Sequence, residues 1–169
     1  MKLYKNKFRV RSSRLKDWDY STPWWYYVTI CTKDMKCWLG KVENGKMVLN
    51  DLGKIVEHFW NNIPRHYPNI ELDYYVTMPN HFHGILIIND VETGHAPSLQ
   101  KNKPTLGNVV GSFKSAVTKW ANTHNHNNFK WQSRFYDHII RNENDLRRIR
   151  TYIQNNPLKW ELDEYYKKL

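Results

Sequence analysis

The chain has 169 residues, enough to bury one real core, and 40% apolar with 15% aromatic residues is the composition of a folded protein, not of a disordered one. Its 26 Lys and Arg against 16 Asp and Glu leave a formal net charge of +10, which favours a polyanionic partner, nucleic acid ahead of an acidic membrane surface. An apolar run long enough to span a membrane is absent, the basic start MKLYKNKFRVRSSRLK lacks the apolar core of an export signal, and Cys31 and Cys37 are too few for a disulfide framework or a four-ligand zinc site, so a reducing cytoplasm is expected.

Residues 1 to 20 read as a basic N-terminal arm, 21 to 162 as one domain, and 163 to 169 as a tail. The run WWYYVTICT, Trp24 to Thr32, has the aromatic and β-branched enrichment of a buried strand. Trp38 to Leu49 reads as two short strands around Asn44-Gly45, which supplies the positive backbone angles of a tight hairpin turn. Leu52, Ile55, Val56, Phe59, Trp60 and Ile63 then recur at helical spacing, with Asn50 or Asp51 to cap and Pro64 to terminate. Two strands follow, Ile70 to Met78 and His81 to Asn89, joined at Pro79-Asn80 and simplest as an antiparallel pair. The polar stretch 90 to 106, with one Gly and two prolines, reads as a mobile loop. A second helix over about 106 to 123 buries Val109, Val110, Phe113, Val117 and Trp120. A short strand lies in FKWQSRFYDHII, and a last helix from about Glu143 to Asn155 is capped by Asn142 and stopped by Pro157. This order predicts an α+β fold: an antiparallel sheet with helices on one side, close to a ferredoxin-like arrangement.

Within YVTMPNHFHGILII, His81 and His83 lie one residue apart on a strand, so both side chains point to one face while Phe82 points to the other. Neutral imidazole is the commonest protein metal ligand, and a strand holds such ligands rigidly. Spacing alone also allows a half-exposed polar pair. His124-Asn125-His126 has the same spacing among Asn residues after a helix and reads as a solvated loop. Rigid placement in an apolar strand is what sets His81 and His83 apart. Two histidines do not complete a site, and RRIRTYIQNNPLKW offers more: Tyr152 and Asn156 are four apart, on one helical face if the helix extends that far. Asn156 precedes Pro157, which disfavours helical geometry there, and Tyr152 on its own could be an ordinary packed aromatic.

The combination of PNHFHGI with YIQNNPLKW, flanked by YSTPWWYYVTICT and WQSRFYDHIIRNENDLRR, resembles the single-tyrosine HUH transposases (His-hydrophobic-His), and among them the REP-associated group. The resemblance runs in order over nearly the whole chain, apart from the loop at 90 to 106 and the last few residues. It implies the HUH nuclease version of the ferredoxin-like, RRM-like fold, with His81, His83 and Asn156 as metal ligands and Tyr152 as nucleophile. Two imidazoles with an amide oxygen suit Mg²⁺ or Mn²⁺. The implied activity is cleavage and rejoining of single-stranded DNA, often at the foot of a hairpin, through a 5′-phosphotyrosyl link and a free 3′-hydroxyl. The phenol needs activation, and no base is obvious in the sequence: His138 and a metal-bound water are the two candidates, with nothing to favour either. Whether Tyr152 meets its own sheet or that of a second copy in a homodimer stays open.

Candidates for DNA contact are Arg9, Arg11, Arg14 and Lys16 in the arm, Lys114 and Lys119 on the second helix, and Arg134, with Trp131, and also Trp24, Trp25 and Phe135, as surfaces on which bases could stack. Core packing is the competing role for each aromatic. Two rivals stand beside the transposase reading. A non-catalytic nucleic-acid module of the same fold would not need the Tyr152 hydroxyl. A histidine phosphoesterase would need two His-x-Ser/Thr motifs, which the chain lacks.

Overall fold

The computed structural model describes residues 15 to 90 and 103 to 166. In chain order the elements are β1 (Trp24–Cys31), a 3₁₀ turn (Lys33–Met35), β2 (Gly40–Glu43), β3 (Lys46–Leu49), α1 (Asp51–Asn61), α2 (Ile63–His66), β4 (Ile70–Thr77), β5 (His81–Ile88), α3 (Leu106–Thr123), β6 (Tyr136–Ile139), α4 (Glu143–Asn155) and a 3₁₀ run (Pro157–Leu162). The elements start where the sequence supplies caps. Asn50 Oδ1 accepts from the Gly53 amide at 2.9 Å, Thr105 and Asn108 cap each other at the head of α3, and Asn142 Oδ1 accepts from the Asp145 amide at 2.9 Å. Asn44 and Gly45 both take positive φ, 50° and 71°, as the β2–β3 turn requires.

The main sheet has the order β4-β5-β1-β6 with every neighbouring pair antiparallel, and β2 with β3 forms a separate two-stranded hairpin. Taken with α1 and α3, that order is the ferredoxin-like βαββαβ arrangement. Register places Cys31 opposite His81 and Thr29 opposite His83, so the two histidines lie in the middle of the sheet. Tyr26, Val28, Ile30, Phe82, Leu86 and Ile88 face α1 and α3, which bury Trp60, Val56, Phe113 and Val117 against them. At Gly84 the sheet leaves room for α1: an added Cβ would lie 2.5 Å from the Trp60 ring.

Three expectations need correction. Helices do not all lie on one side: α4 packs on the opposite face, where Leu146, Ile149 and Ile153 meet Tyr27 and Ile85. The reason is in the strand itself, because β5 is buried along all eight residues and so needs cover on both faces. Pro64 does not simply end the first helix; it sits in the first turn of α2, a further short helix that follows Asn62. Residues 163 to 166 are not a detached tail, since Asp163 and Tyr165 fold back over the histidines. Most of the expected loop, residues 91 to 102, and the arm through residue 14, with Arg9, Arg11 and Arg14, lie outside the described residues. Among the described residues no helix is long and apolar enough to cross a membrane.

Candidate metal and nucleophile site

His81 and His83 emerge from β5 on the α4 side, fully buried, with ring centroids 4.5 Å apart. Their Nδ1 atoms are already engaged. His81 Nδ1 lies 2.8 Å from Asn80 Oδ1, while Asn80 Nδ2 donates to the carbonyls of Met35 and Tyr165. The donations fix the Asn80 amide, so its Oδ1 can only accept, and His81 must carry its proton on Nδ1. His83 Nδ1 lies 2.7 Å from the Tyr27 hydroxyl and 2.9 Å from Thr29 Oγ1. Second partners of this kind orient imidazole ligands and leave Nε2 to coordinate. His81 Nε2 is buried and has no hydrogen-bond partner, an orphaned acceptor of the kind a metal ion would satisfy.

The third member comes from beyond α4. Ligand atoms of His81, His83 and Asp163 all lie within 4.8 Å of one another, a group able to hold a metal ion. Burial pushes the His81 pKa down to about 4, opposed by the Asp163 charge, and burial followed by the His81 neighbour holds His83 well below its ordinary value. Both rings are therefore neutral near pH 7, the form that binds metal. Asn156, expected as third ligand, is buried and donates through Nδ2 to Asp163 Oδ2 at 2.7 Å, while its own Oδ1 is buried without a partner. Two oxygen donors thus stand beside the imidazole pair.

Tyr152 is presented by the C-terminal half of α4, 39% exposed, with its hydroxyl 3.5 Å from His83 Nε2. The same hydroxyl donates to Asp163 Oδ2 at 3.2 Å. Burial, and then the nearby Asp163 carboxylate, raise the phenol pKa above its usual value, so it is protonated at neutral pH. Within the chain, Tyr152 of α4 thus meets His83 of β5 across the face that α4 covers. α4 is held there by its apolar face and by Arg150, whose Nε donates to Asp73 on β4 at 2.8 Å. Beside Tyr152 opens a cavity of about 670 Å³ lined by Tyr27, Tyr136, His138, Arg148 and Tyr165 among others. His138, raised as a base, is engaged through Nε2 with Asp145 Oδ2 at 2.7 Å.

The sequence does not single out Asp163 or Asn80. Asp163 carries no periodic signal in KWELDEYY, and Asn80 has the chemistry of a turn residue, its one hint of a further role being its place directly before the first histidine. The DNA-contact candidates separate. Lys16, Lys119 and Arg134 are exposed. Lys114 donates its amine to the carbonyls of Gln132 and Ser133 at 2.7 and 3.3 Å, which ties α3 to that segment. Trp131 is 8% exposed and packed against Phe113 and Phe129, so it is a core residue and not a stacking surface. Phe135 packs against the same core, whereas Trp24 is 40% exposed.

No protein-family model matches the chain. An uncharacterized protein of Haemophilus influenzae is 40% identical over 166 residues, covering 92% of each chain. Among solved structures, a REP-associated tyrosine transposase bound to a REP hairpin superposes with a TM-score of 0.61 at 19% identity, over 92% of this chain and 77% of that one. A structure from Deinococcus radiodurans is a looser match, with a TM-score of 0.46 at 14% identity over 88% and 97% of the two chains. The chain belongs to one family with the Haemophilus influenzae protein, and its fold is that of a REP-associated tyrosine transposase, in agreement with the resemblance carried by its His-hydrophobic-His and tyrosine motifs.

Proposed function

We propose that the protein is a metal-dependent single-tyrosine HUH transposase that nicks and rejoins single-stranded DNA at hairpin-flanked sites, with Tyr152 as nucleophile. The observation that carries this reading is the meeting of the Tyr152 hydroxyl with the His83 ring and the Asp163 carboxylate in one chain. The REP hairpin bound by the structural relative supports the substrate class. So does the net charge of +10.

His81 Nε2, His83 Nε2 and an oxygen of Asp163 or Asn156 would hold a divalent ion, and two nitrogens with carboxylate or amide oxygen suit Mg²⁺ or Mn²⁺. Such an ion supplies charge neutralisation at the scissile phosphate. The protein's own part is the rest. Tyr152 Oη attacks phosphorus in line, a phosphotyrosyl bond forms, the P–O3′ bond breaks, and the leaving oxygen takes a proton to become the 3′-hydroxyl. Asp163 Oδ2, which already accepts the phenol hydrogen bond, is placed to receive the phenol proton. Because the phosphate ester is conserved in the covalent link, rejoining needs no nucleotide cofactor.

Incubation with hairpin-bearing single-stranded DNA and Mn²⁺ should give a DNA-protein adduct that survives denaturation, and Tyr152→Phe should abolish it. An adduct formed by Tyr152→Phe, or undiminished in EDTA or after His81→Ala with His83→Ala, overturns the assignment. A binding-only module would shift the DNA in a native gel and give no adduct with either protein.

A further inference from the structure

A second cavity, of about 630 Å³, opens where β1 begins and β5 ends beside the N-terminus of α4, and Trp24, Trp25, Ile87, Leu146 and Arg150 are among its walls. Trp24 is the unusual member. A tryptophan that served only the core would be covered, yet 40% of this one is exposed. Nor is it loose: Nε1 donates to the Ile140 carbonyl at 2.7 Å, and Trp18 meets the ring edge-on at a centroid distance of 6.0 Å. One polar bond and one aromatic contact thus fix the plane of an exposed indole before any ligand arrives.

A second lining side chain is equally set. Arg150 is held by Asp73, and its guanidinium lies over the rings of Trp25 and Tyr74, 5.8 and 5.3 Å from their centroids. A rigid aromatic plane beside an apolar floor of Ile87 and Leu146 matches the flat face of an unpaired nucleobase, for which stacking supplies the affinity, while Arg141 and Arg150 share the lining with Asp90 and Glu143. Pre-set walls also lower the ordering cost of binding. Position argues for the same ligand. Leu146 and Tyr152 are six residues apart on α4, about 9 Å of helix rise, and the exposed Arg147 and Arg148 lie between them. A strand whose phosphate lies at Tyr152 can reach the cavity within a few nucleotides.

We propose that this cavity takes one unpaired base of the DNA strand, stacked on Trp24, a few nucleotides from the scissile phosphate. The proposal rests on the reading of Tyr152 as a nucleophile acting on single-stranded DNA, and its test is separable from that reading.

The probe is a pool of hairpin-bearing oligonucleotides whose single-stranded flanks carry 5-iododeoxyuridine at random positions, photo-crosslinked to the full chain and mapped by peptide mass spectrometry. Crosslinking at Trp24 is expected, with Trp24→Ala binding the pool about tenfold more weakly and Trp24→Phe, which keeps a ring, recovering most of the affinity. Crosslinks confined to other residues, with Trp24→Ala binding within twofold of the parent, overturn the cavity assignment even if the Tyr152 adduct still forms. Crosslinking at Trp24 with no Tyr152 adduct on any flank keeps the base pocket and overturns the nucleophile reading instead. Failure of the pool to bind at all overturns the proposal.

Discussion

His81 can be a ligand because of the residue in front of it. Asn80 spends both amide hydrogens on the carbonyls of Met35 and Tyr165, and so presents only an acceptor to His81 Nδ1. Replacing Asn80 with Ala removes that tautomer lock, and outer partners of this kind typically contribute 10–100-fold in metal affinity. Asn80→Ala should therefore weaken Mn²⁺ binding by about that factor in isothermal titration, with His81 and His83 untouched. Protonation gives a second test. The His81 pKa falls from 6.5 to about 4 on folding, and that of His83 also falls well below 6.5. Below pH 6.5 the unfolded chain therefore binds more protons than the native one. Stability should then decline as pH falls from 6.5 toward 4, and be recovered as pH rises. Denaturant midpoints measured at pH 7, 5.5 and 4.5 should fall in that order, and His81→Asn should make the fall shallower. At this scale the sequence was legible where chemistry sits in a spaced pattern, as for His81, His83 and Tyr152. It was silent on Asp163, whose place depends on a 3₁₀ run turning the chain back after Pro157, a geometry that no residue spacing encodes.

At the scale of elements, most of the molecule was readable, because caps and hydrophobic periods are local. The last helix runs Glu143–Asn155 between its Asn142 cap and Pro157, as those signals require, and the Asn-Gly turn sits between β2 and β3. The expectation of helices on one side misplaces α4, since one strand's pattern says which faces are apolar but not which helix covers them. In retrospect HFHGILII carries Ile85 and Ile87 on one face and Leu86 and Ile88 on the other, a strand with no solvent side. The packing between layers is tight where Gly84 meets Trp60. A methyl group there would approach the indole to 2.5 Å, and Trp60 is fully buried with Phe82 and Phe113 around it. Gly84→Ala should cost about 1–3 kcal/mol, the usual penalty of overpacking. The denaturant midpoint should drop while the slope of the transition stays the same.

For the whole molecule the governing quantity is the net charge of +10 and where it is free to act. Binding to a nucleic acid releases about 0.7 counterions per phosphate contact on a single strand, so each lysine or arginine that truly meets a phosphate adds about that much to the slope of log affinity against log salt. The fold already divides the basic residues by this criterion. Lys114 donates to two backbone carbonyls, and its amine is half-buried, which lowers its pKa, so its charge is spent inside the protein. Lys119, five residues further along α3, is exposed and lines a surface groove together with Lys114. Lys119→Ala should therefore reduce the salt slope of hairpin-DNA binding by about 0.7–1 and leave thermal stability unchanged. Lys114→Met should do the reverse, loosening the 132–133 segment and lowering the melting temperature while the slope stays put. Equal slope changes in both variants would mean that the Gln132 and Ser133 carbonyls release Lys114 when DNA binds, and that α3 meets the phosphates along both turns.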